Sequence, residues 1–316
     1  MLRNGGFTYR ERVGASSAGD ELLDYLCLRY RHSSRPAWTA RIEAGDVLID
    51  RRAAGAEQAL RAGQEISWRR PPWSEPDAPL AYAVLHVDDD VIAVAKPAGL
   101  PTLPGAGFLT STLLHQVRCH APDATAVHRL GRWTSGVVLF ARHRTARAEL
   151  ARQMAARETV KRYRALASGH PSWSAIVIDR PIGPVAHPWL GSIHAAAADG
   201  KPAESAVHVL EHRVGSFLCD VRIVTGRPHQ IRIHLAAAGH PLVGDPLYVE
   251  GGVPSADAPA VPGDPGYLLH AAEITFSHPR TKLPVTVMCP PPPELSRRTP
   301  PSRSCTESGR TDTRSP

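Results

Sequence analysis

The 316-residue sequence predicts an α+β protein. Three observations carry this. After residue 80, short runs rich in Val, Ile, Leu and Phe recur with the period-2 alternation of half-buried strands, or as unbroken apolar runs of buried ones. Helical stretches interrupt these strands irregularly, which argues against a doubly wound parallel sheet. A small segment with mixed helix and strand patterning stands ahead of a proline-rich break, so a second, smaller unit is expected.

In chain order, ELLDYLCLRYRH reads as a helix, WTARIEAGDVLID runs from helix into strand, and ALRAGQEISWRR closes with a strand. PPWSEPDAP (71–79) carries four prolines in nine residues and reads as a linker or a stiff ordered turn. The expected division is 1–72, a linker at 73–79, a large domain at 80–290 and a disordered tail at 291–316, which has too few apolar residues to pack. In the large domain VLHV and VIAVA are strands around an acidic turn. VVLFA (137–141) is a buried strand, TARAELARQMAAR (145–157) an amphipathic helix, and YRALASG, SAVHVLEH, FLCDVRIVTG and ITFS further strands. QIRIHL (230–235) also alternates as a strand, with Ile231, Ile233 and Leu235 opposite Gln230, Arg232 and His234.

The 37 Lys+Arg against 30 Asp+Glu give a net charge of +7, an excess that favours polyanionic partners. Only Lys96, Lys161, Lys201 and Lys282 are lysines, so the arginine content reflects composition as much as function and position must decide. Five scattered cysteines without a CxxC pair suggest neither a disulfide framework nor a thiolate zinc site, and fit a reducing cytoplasm. No apolar stretch reaches signal-peptide or membrane-span character. His229, His234 and His240 match no metal-binding spacing. The elbow, P-loop, zincin and dinucleotide signatures are missing, so the usual anchors of hydrolases, phosphotransferases and dehydrogenases are absent.

HRLGRWTSG (128–136) places Arg129 and Arg132, the hydroxyls of Thr134 and Ser135, and two glycines in nine residues without an acid. Taken alone it is a catalytic loop, a phosphate cradle or a solvated turn. Tyr163 in KRYRALASG (161–169) is either packing or a plate for a nucleobase. Arg232 is either an anion clamp or half of a structural ion pair.

KPAGLPTLPG, HRLGRWTSGVVLFA, KRYRALASG, GKPAESAVHVL, TGRPHQIRIHLAAAGHPLVGDPLY and LLHAAEITFSHPRTKLP, in this order, resemble the successive motifs of the RluA family of RNA pseudouridine synthases, over residues 80–290. The leading module, with RIEAGDVLID and LRAGQEISW, is more loosely similar to the αL RNA-binding domain that often precedes that catalytic domain.

The resemblance implies a mixed, largely antiparallel central sheet and the cofactor-free, metal-free isomerisation of uridine to pseudouridine in ribosomal or transfer RNA. A cytoplasmic, monomeric enzyme is expected. Tyr163 matches the tyrosine that stacks on uracil, Arg232 the arginine that pairs with the catalytic aspartate, and Leu269 an apolar residue against the base. His128, Arg129, Arg132, Thr134 and Ser135 fall in the substrate-binding loop. Where the family has its aspartate, this chain has Gly131, and Pro228 is a milder departure. Glycine neither attacks nor takes a proton, so an RNA-binding pseudoenzyme is the competing reading. Asp245 is a candidate substitute acid, although a turn or ion-pair role is the simpler expectation for it.

Overall fold

The computed structural model describes residues 2–188, 190–256 and 260–298. The leading segment forms its own four-stranded sheet from β1 (Phe7–Arg12), β2 (Val47–Ile49), β3 (Arg52–Ala53) and β4 (Glu65–Arg70), in the order β1-β4-β2-β3. Helices α1 (Leu22–Arg29) and α2 (Arg35–Glu43) cover it. The α2 N-cap Ser34 accepts the Ala37 amide and Pro36 sits in the first turn, where its missing N–H costs nothing. Leu22, Leu26, Trp38, Ile42, Val47, Ile49, Leu60 and Ile66 make a core separate from the rest of the chain. The sequence indicated this unit from Asp20 onward; β1 was not foreseen.

The proline-rich stretch at 73–79 is tied to the protein at Trp73, whose ring N–H donates to the Gly107 carbonyl, and at Glu75. Glu75, fully buried, accepts the amides of Leu109, Thr110 and Ser111, the Thr110 hydroxyl and the Asn4 side-chain amide. Burial alone would raise its carboxyl, but these donors, led by the Thr110 amide, overrule burial and hold it down at about 2.

The remaining strands are β5 (Ala83–Val87), β6 (Val91–Lys96), β7 (Thr125–Ala126), β8 (Ser135–Ala141), β9 (Val160–Ser168), β10 (Ala175–Ile178), β11 (Ile182–His187), β12 (Gly191–Ala196), β13 (Ser205–Arg213), β14 (Ser216–Ile223), β15 (Tyr248–Val249), β16 (Val253–Pro254), β17 (Leu269–Ser277) and β18 (Pro284–Met288). Ten of them form one sheet in the order β10-β13-β14-β9-β17-β8-β6-β5, with β18 on β17 and β7 on β8. Only β17 and β8 pair in parallel, so the sheet is mixed and largely antiparallel as expected. There Gly136, at φ +109, faces Ala271, whose carbonyl a Cβ would meet at 2.1 Å; no other residue fits.

The sheet is buried on both faces, which explains the unbroken apolar run of β8. Val137 and Leu139 join Ala146 and Leu150 of α4 (Arg144–Ala155) on one side. Val138 and Phe140 join Tyr163, Leu269 and Leu113 of α3 (Leu113–Arg118) on the other.

Two expectations are corrected. QIRIHL is not a strand but helix α5 (Gln230–Ala237), and its residues Gln230 to Ala236 are all buried. Ile231 and Leu235 enter the main core while Ile233 and Ala236 enter a second one with Ile182, Ile193 and Tyr248. Burial on every side removes the amphipathic stripe that normally marks a helix, and the chance alternation of Ile231, Ile233 and Leu235 imitates a strand. The tail does not lose order at 291. Pro293–Leu295 form a 3₁₀ turn, Leu295 is buried, and Arg213 donates to the carbonyls of Glu294 and Ser296. A single apolar residue and one arginine clamp suffice where polar composition suggested none; residues 299–316 lie outside the described residues.

Candidate active site

The loop 128–136 crosses the end of β8, and nearly every group in it is engaged. His128 accepts the Leu139 amide through Nε2, and burial first, then the charge of Lys161, pushes its pKa down to about 4, so it is a neutral anchor. Leu130 exchanges both backbone bonds with the Thr102 hydroxyl. Arg132 donates Nε to the Gly99 carbonyl and lies over Phe108. Thr134 is buried with its hydroxyl 3.3 Å from Tyr267 Oη. Ser135 turns to the other face of the sheet, where it bonds His270 Nδ1 at 2.9 Å. Two positions are exposed: Arg129, which makes no hydrogen bond or ion pair among the described residues, and Gly131.

Beneath this loop β9 and β17 lie antiparallel with Ala271 opposite Tyr163 and Leu269 opposite Ala165. Alternation therefore puts Tyr163 and Leu269 on one face, and Tyr267, two residues before Leu269, continues it; all three belong to one core cluster. Burial pushes the Tyr163 phenol up to about 12. A cavity of about 450 Å³ opens beside it, lined by His128, Arg129, Arg157, Lys161, Tyr163 and Arg227 among others, with four cations and no acid. Lys161 has no bonding partner among the described residues, and burial lowers its pKa. Such a cavity suits an anion.

Arg232 rises from α5 into a closed site. Its Nε and Nη2 donate to the two oxygens of Asp245 at 2.7 Å each, and Nη1 donates to the Pro262 carbonyl. Both partners are buried, at 2% and 0% side-chain exposure. The guanidinium is sandwiched between Tyr267, 4.1 Å from the ring centre, and Tyr248 at 5.0 Å. Asp245 also accepts the amides of Leu247 and Tyr248. Oδ1 takes three donors, Oδ2 takes Arg232 Nε, and the side chain is fully buried, so Asp245 is a turn and ion-pair residue and not a relocated nucleophile.

The sequence reading brought Tyr163, Leu269, Gly131 and Arg232 forward, and the fold places Tyr163 and Leu269 together and joins Gly131 to Arg232 through Tyr267. Tyr267 and Lys96 were missed. Strand alternation back from Leu269 was the available signal for the first. Lys96, which is 1% exposed, donates to the carbonyls of Pro97, Leu100 and Arg132, tying two loops together. Burial draws its pKa down to about 7, yet three acceptors on three bonds require the ammonium form.

No metal was expected. Among the described residues Asp88, Asp90 and His278 offer ligand atoms close enough for one. His278 Nδ1, however, accepts the amides of Arg280 and Thr281, so Nε2 carries the proton and donates to Asp88 at 3.2 Å. With His143 and Arg280 on Asp90, this is an ion-pair network.

An aromatic and apolar platform in a sheet, a cation-lined cavity beside it and a pinned loop form a cleft whose chemistry suits a planar base and a neighbouring anion. Residues 90–237 match the family model for RNA pseudouridylate synthase. The chain is 42% identical to an uncharacterised RNA pseudouridine synthase of Synechocystis over 87% of its own length and 95% of the relative's. It is 37% identical to RNA pseudouridine synthase 5 of Arabidopsis thaliana, over 93% and 95%. Ribosomal large subunit pseudouridine synthase D of Nitrosomonas europaea is 35% identical over 83% and 77%. Among solved structures, human RNA pseudouridylate synthase domain containing 1 superposes with a TM-score of 0.54 at 27% identity, covering 71% of this chain and 89% of that one. The chain belongs to the RluA family of RNA pseudouridine synthases.

Proposed function

We propose that this pseudouridine synthase acts on a uridine in folded ribosomal or transfer RNA, without a cofactor or metal, as a cytoplasmic monomer. The observation that carries the reading is the platform of Tyr163 and Leu269 on one sheet face, with the cation-lined cavity alongside. Tyr163 stacks on the uracil, Leu269 packs against it, and Arg129, Lys161, Arg157 and Arg227 receive the neighbouring phosphates. The rest of the loop, His128, Arg132, Thr134 and Ser135, holds this geometry through its bonds to the protein.

Residues 1–72 act as the RNA-binding module, joined through 73–79 to the catalytic domain at 80–290. Supporting this, Phe7 and Tyr9 are exposed on one face of β1, Tyr9 stacks on Trp68, and Arg41 and Arg70 lie over the tryptophans. Exposed rings interleaved with arginines suit unpaired bases and phosphates.

The pseudoenzyme reading rests on the missing side chain at Gly131, and it would leave Arg232 facing an empty place; Arg232 is instead paired with Asp245. The test is to map pseudouridine in the total RNA of cells with and without the gene, and to titrate the purified chain with unmodified ribosomal and transfer RNA transcripts at two ionic strengths. A uridine modified only when the gene is present, and affinity that falls as salt rises, are expected. No gene-dependent pseudouridine in any RNA would refute the activity, and salt-insensitive binding would refute the phosphate contacts.

A further inference from the structure

Gly131 stands where the family carries its catalytic aspartate, and its backbone does not require glycine, since it is absent from the left-handed positions of the chain. Space requires it instead. A Cβ at 131 would lie 2.9 Å from Tyr267 Oη and 3.4 Å from Thr134 Oγ1. In an aspartate the carboxylate oxygens stand roughly 2.4 Å from Cβ. The Tyr267 oxygen therefore stands at nearly the distance from that Cβ position that an aspartate oxygen at 131 would have, and it lies directly beneath an exposed glycine although the tyrosine as a whole is 4% exposed.

The phenol is fixed there. Its ring lies against the Arg232 guanidinium at 4.1 Å, and Arg232 is locked onto Asp245. Among the described residues its hydroxyl has one partner, Thr134 Oγ1 at 3.3 Å, long for an O–H···O bond, so an oxygen lone pair remains for a substrate. Tyr267 continues the sheet face that carries Leu269 and Tyr163.

Resting on the reading of the chain as a synthase, we propose that Tyr267 is the catalytic residue that replaces the missing carboxylate. The reacting form is the phenolate. It removes the proton from ribose C2′; the C–H pair becomes the C1′=C2′ bond, and the C1′–N1 pair leaves with uracil as its anion. After the base turns, Tyr267 returns the proton to C2′ and C5 bonds to C1′. The proton displaced from C5, where Tyr163 stands, ends on N1. Atoms and charge balance, and no further reactant enters. The charged and titratable groups around Tyr267 are Arg232 from α5, Asp245 behind it and Tyr248 of β15.

The experiment expresses the full-length chain and its variants in cells lacking the gene, maps gene-dependent pseudouridine in total RNA, and uses an oligonucleotide carrying the mapped site for kinetics. Tyr267→Phe, which removes one oxygen, should lower kcat at least ~100-fold while RNA affinity and melting temperature hold. Gly131→Ala, whose methyl covers the hydroxyl, should fall in the same way. Gly131→Asp in the Tyr267→Phe background should regain activity, because the carboxylate re-enters the space the hydroxyl left. A Tyr267→Phe chain near the wild-type rate overturns the proposal. So does a loss that resides in affinity or melting temperature and spares kcat. If the wild type modifies no RNA, the synthase reading itself fails, which is a different result.

Discussion

Asp245→Asn tests whether the pair beneath the cleft is scaffold or chemistry. Asparagine keeps an oxygen for the Leu247 and Tyr248 amides but turns an N–H₂ toward the Arg232 guanidinium, replacing a charge-assisted bond of 2.7 Å with facing donors. The guanidinium then keeps the retained oxygen through Nη2 and the Pro262 carbonyl through Nη1, but it loses the Nε bond and its counter-charge in a site that water does not reach. Removing one partner of a buried pair costs about 3–5 kcal/mol, because the remaining charge stays desolvated. For a chain of this size each kcal/mol shifts the melting temperature by roughly 2–4 °C, so a fall on the order of 10 °C is expected in a thermal melt, with a lower urea midpoint at unchanged slope. Arg232 also holds Tyr267, so kcat measured below the transition should drop as well. A variant as stable as the wild type but devoid of activity would refute the reasoning: Asp245 would then be free to react.

Three further outcomes follow from named contacts. The Glu75 carboxyl is held at about 2 in the fold against 4.5 when free, so its contribution, roughly 3 kcal/mol, is present above pH 4.5 and fades as pH falls toward 2; Glu75→Gln should flatten that part of the acid-unfolding curve, and an unchanged curve counts against it. Lys96→Met leaves the carbonyls of Pro97, Leu100 and Arg132 without their donor and should cost about 3 kcal/mol in a urea titration while loosening the 128–136 loop. Tyr163→Ala should weaken binding of the uridine-containing oligonucleotide by about 1–3 kcal/mol with the fold retained, and unfolding of the variant would show the ring to be core packing alone.

Strands were legible wherever one residue type repeated against the pleat: VVLFA, SAVHVLEH and FLCDVRIVTG declare themselves by β-branched and aromatic content. Helix α5 was not, because Gln230, Arg232 and His234 are buried beside Ile231, Ile233 and Leu235, and a helix without a wet face has no periodic signature. The order at 73–79 depends on Glu75 meeting amides at 109–111, and the order of the tail depends on Arg213 reaching Glu294 and Ser296. Contacts so distant in sequence leave no local pattern. The same holds within the site. Tyr163, Leu269 and Arg232 announce themselves through motifs, but the partner of Gly131 lies more than a hundred residues further along, where GDPGYLLHA reads as a turn entering a strand.

The 128–136 loop raised three readings, and its bonding separates them. A solvated turn would spend its side chains on water, whereas here His128, Leu130, Arg132 and Thr134 are all turned onto the protein and the Lys96 ammonium holds the loop from below. A phosphate cradle would present several free donors, but Arg132 is committed to the Gly99 carbonyl and Ser135 to His270, leaving Arg129 as the cation offered outward. What remains exposed is one arginine and one glycine, two positions apart, over a buried phenol. Rigidity of this kind is what a reaction needs where an atom must be met at a fixed place. If Tyr267 is the reacting group as proposed, the pinned loop holds Gly131 open above it, and a variant that loosens the loop without touching Tyr267, such as Lys96→Met, should lower kcat as well as stability.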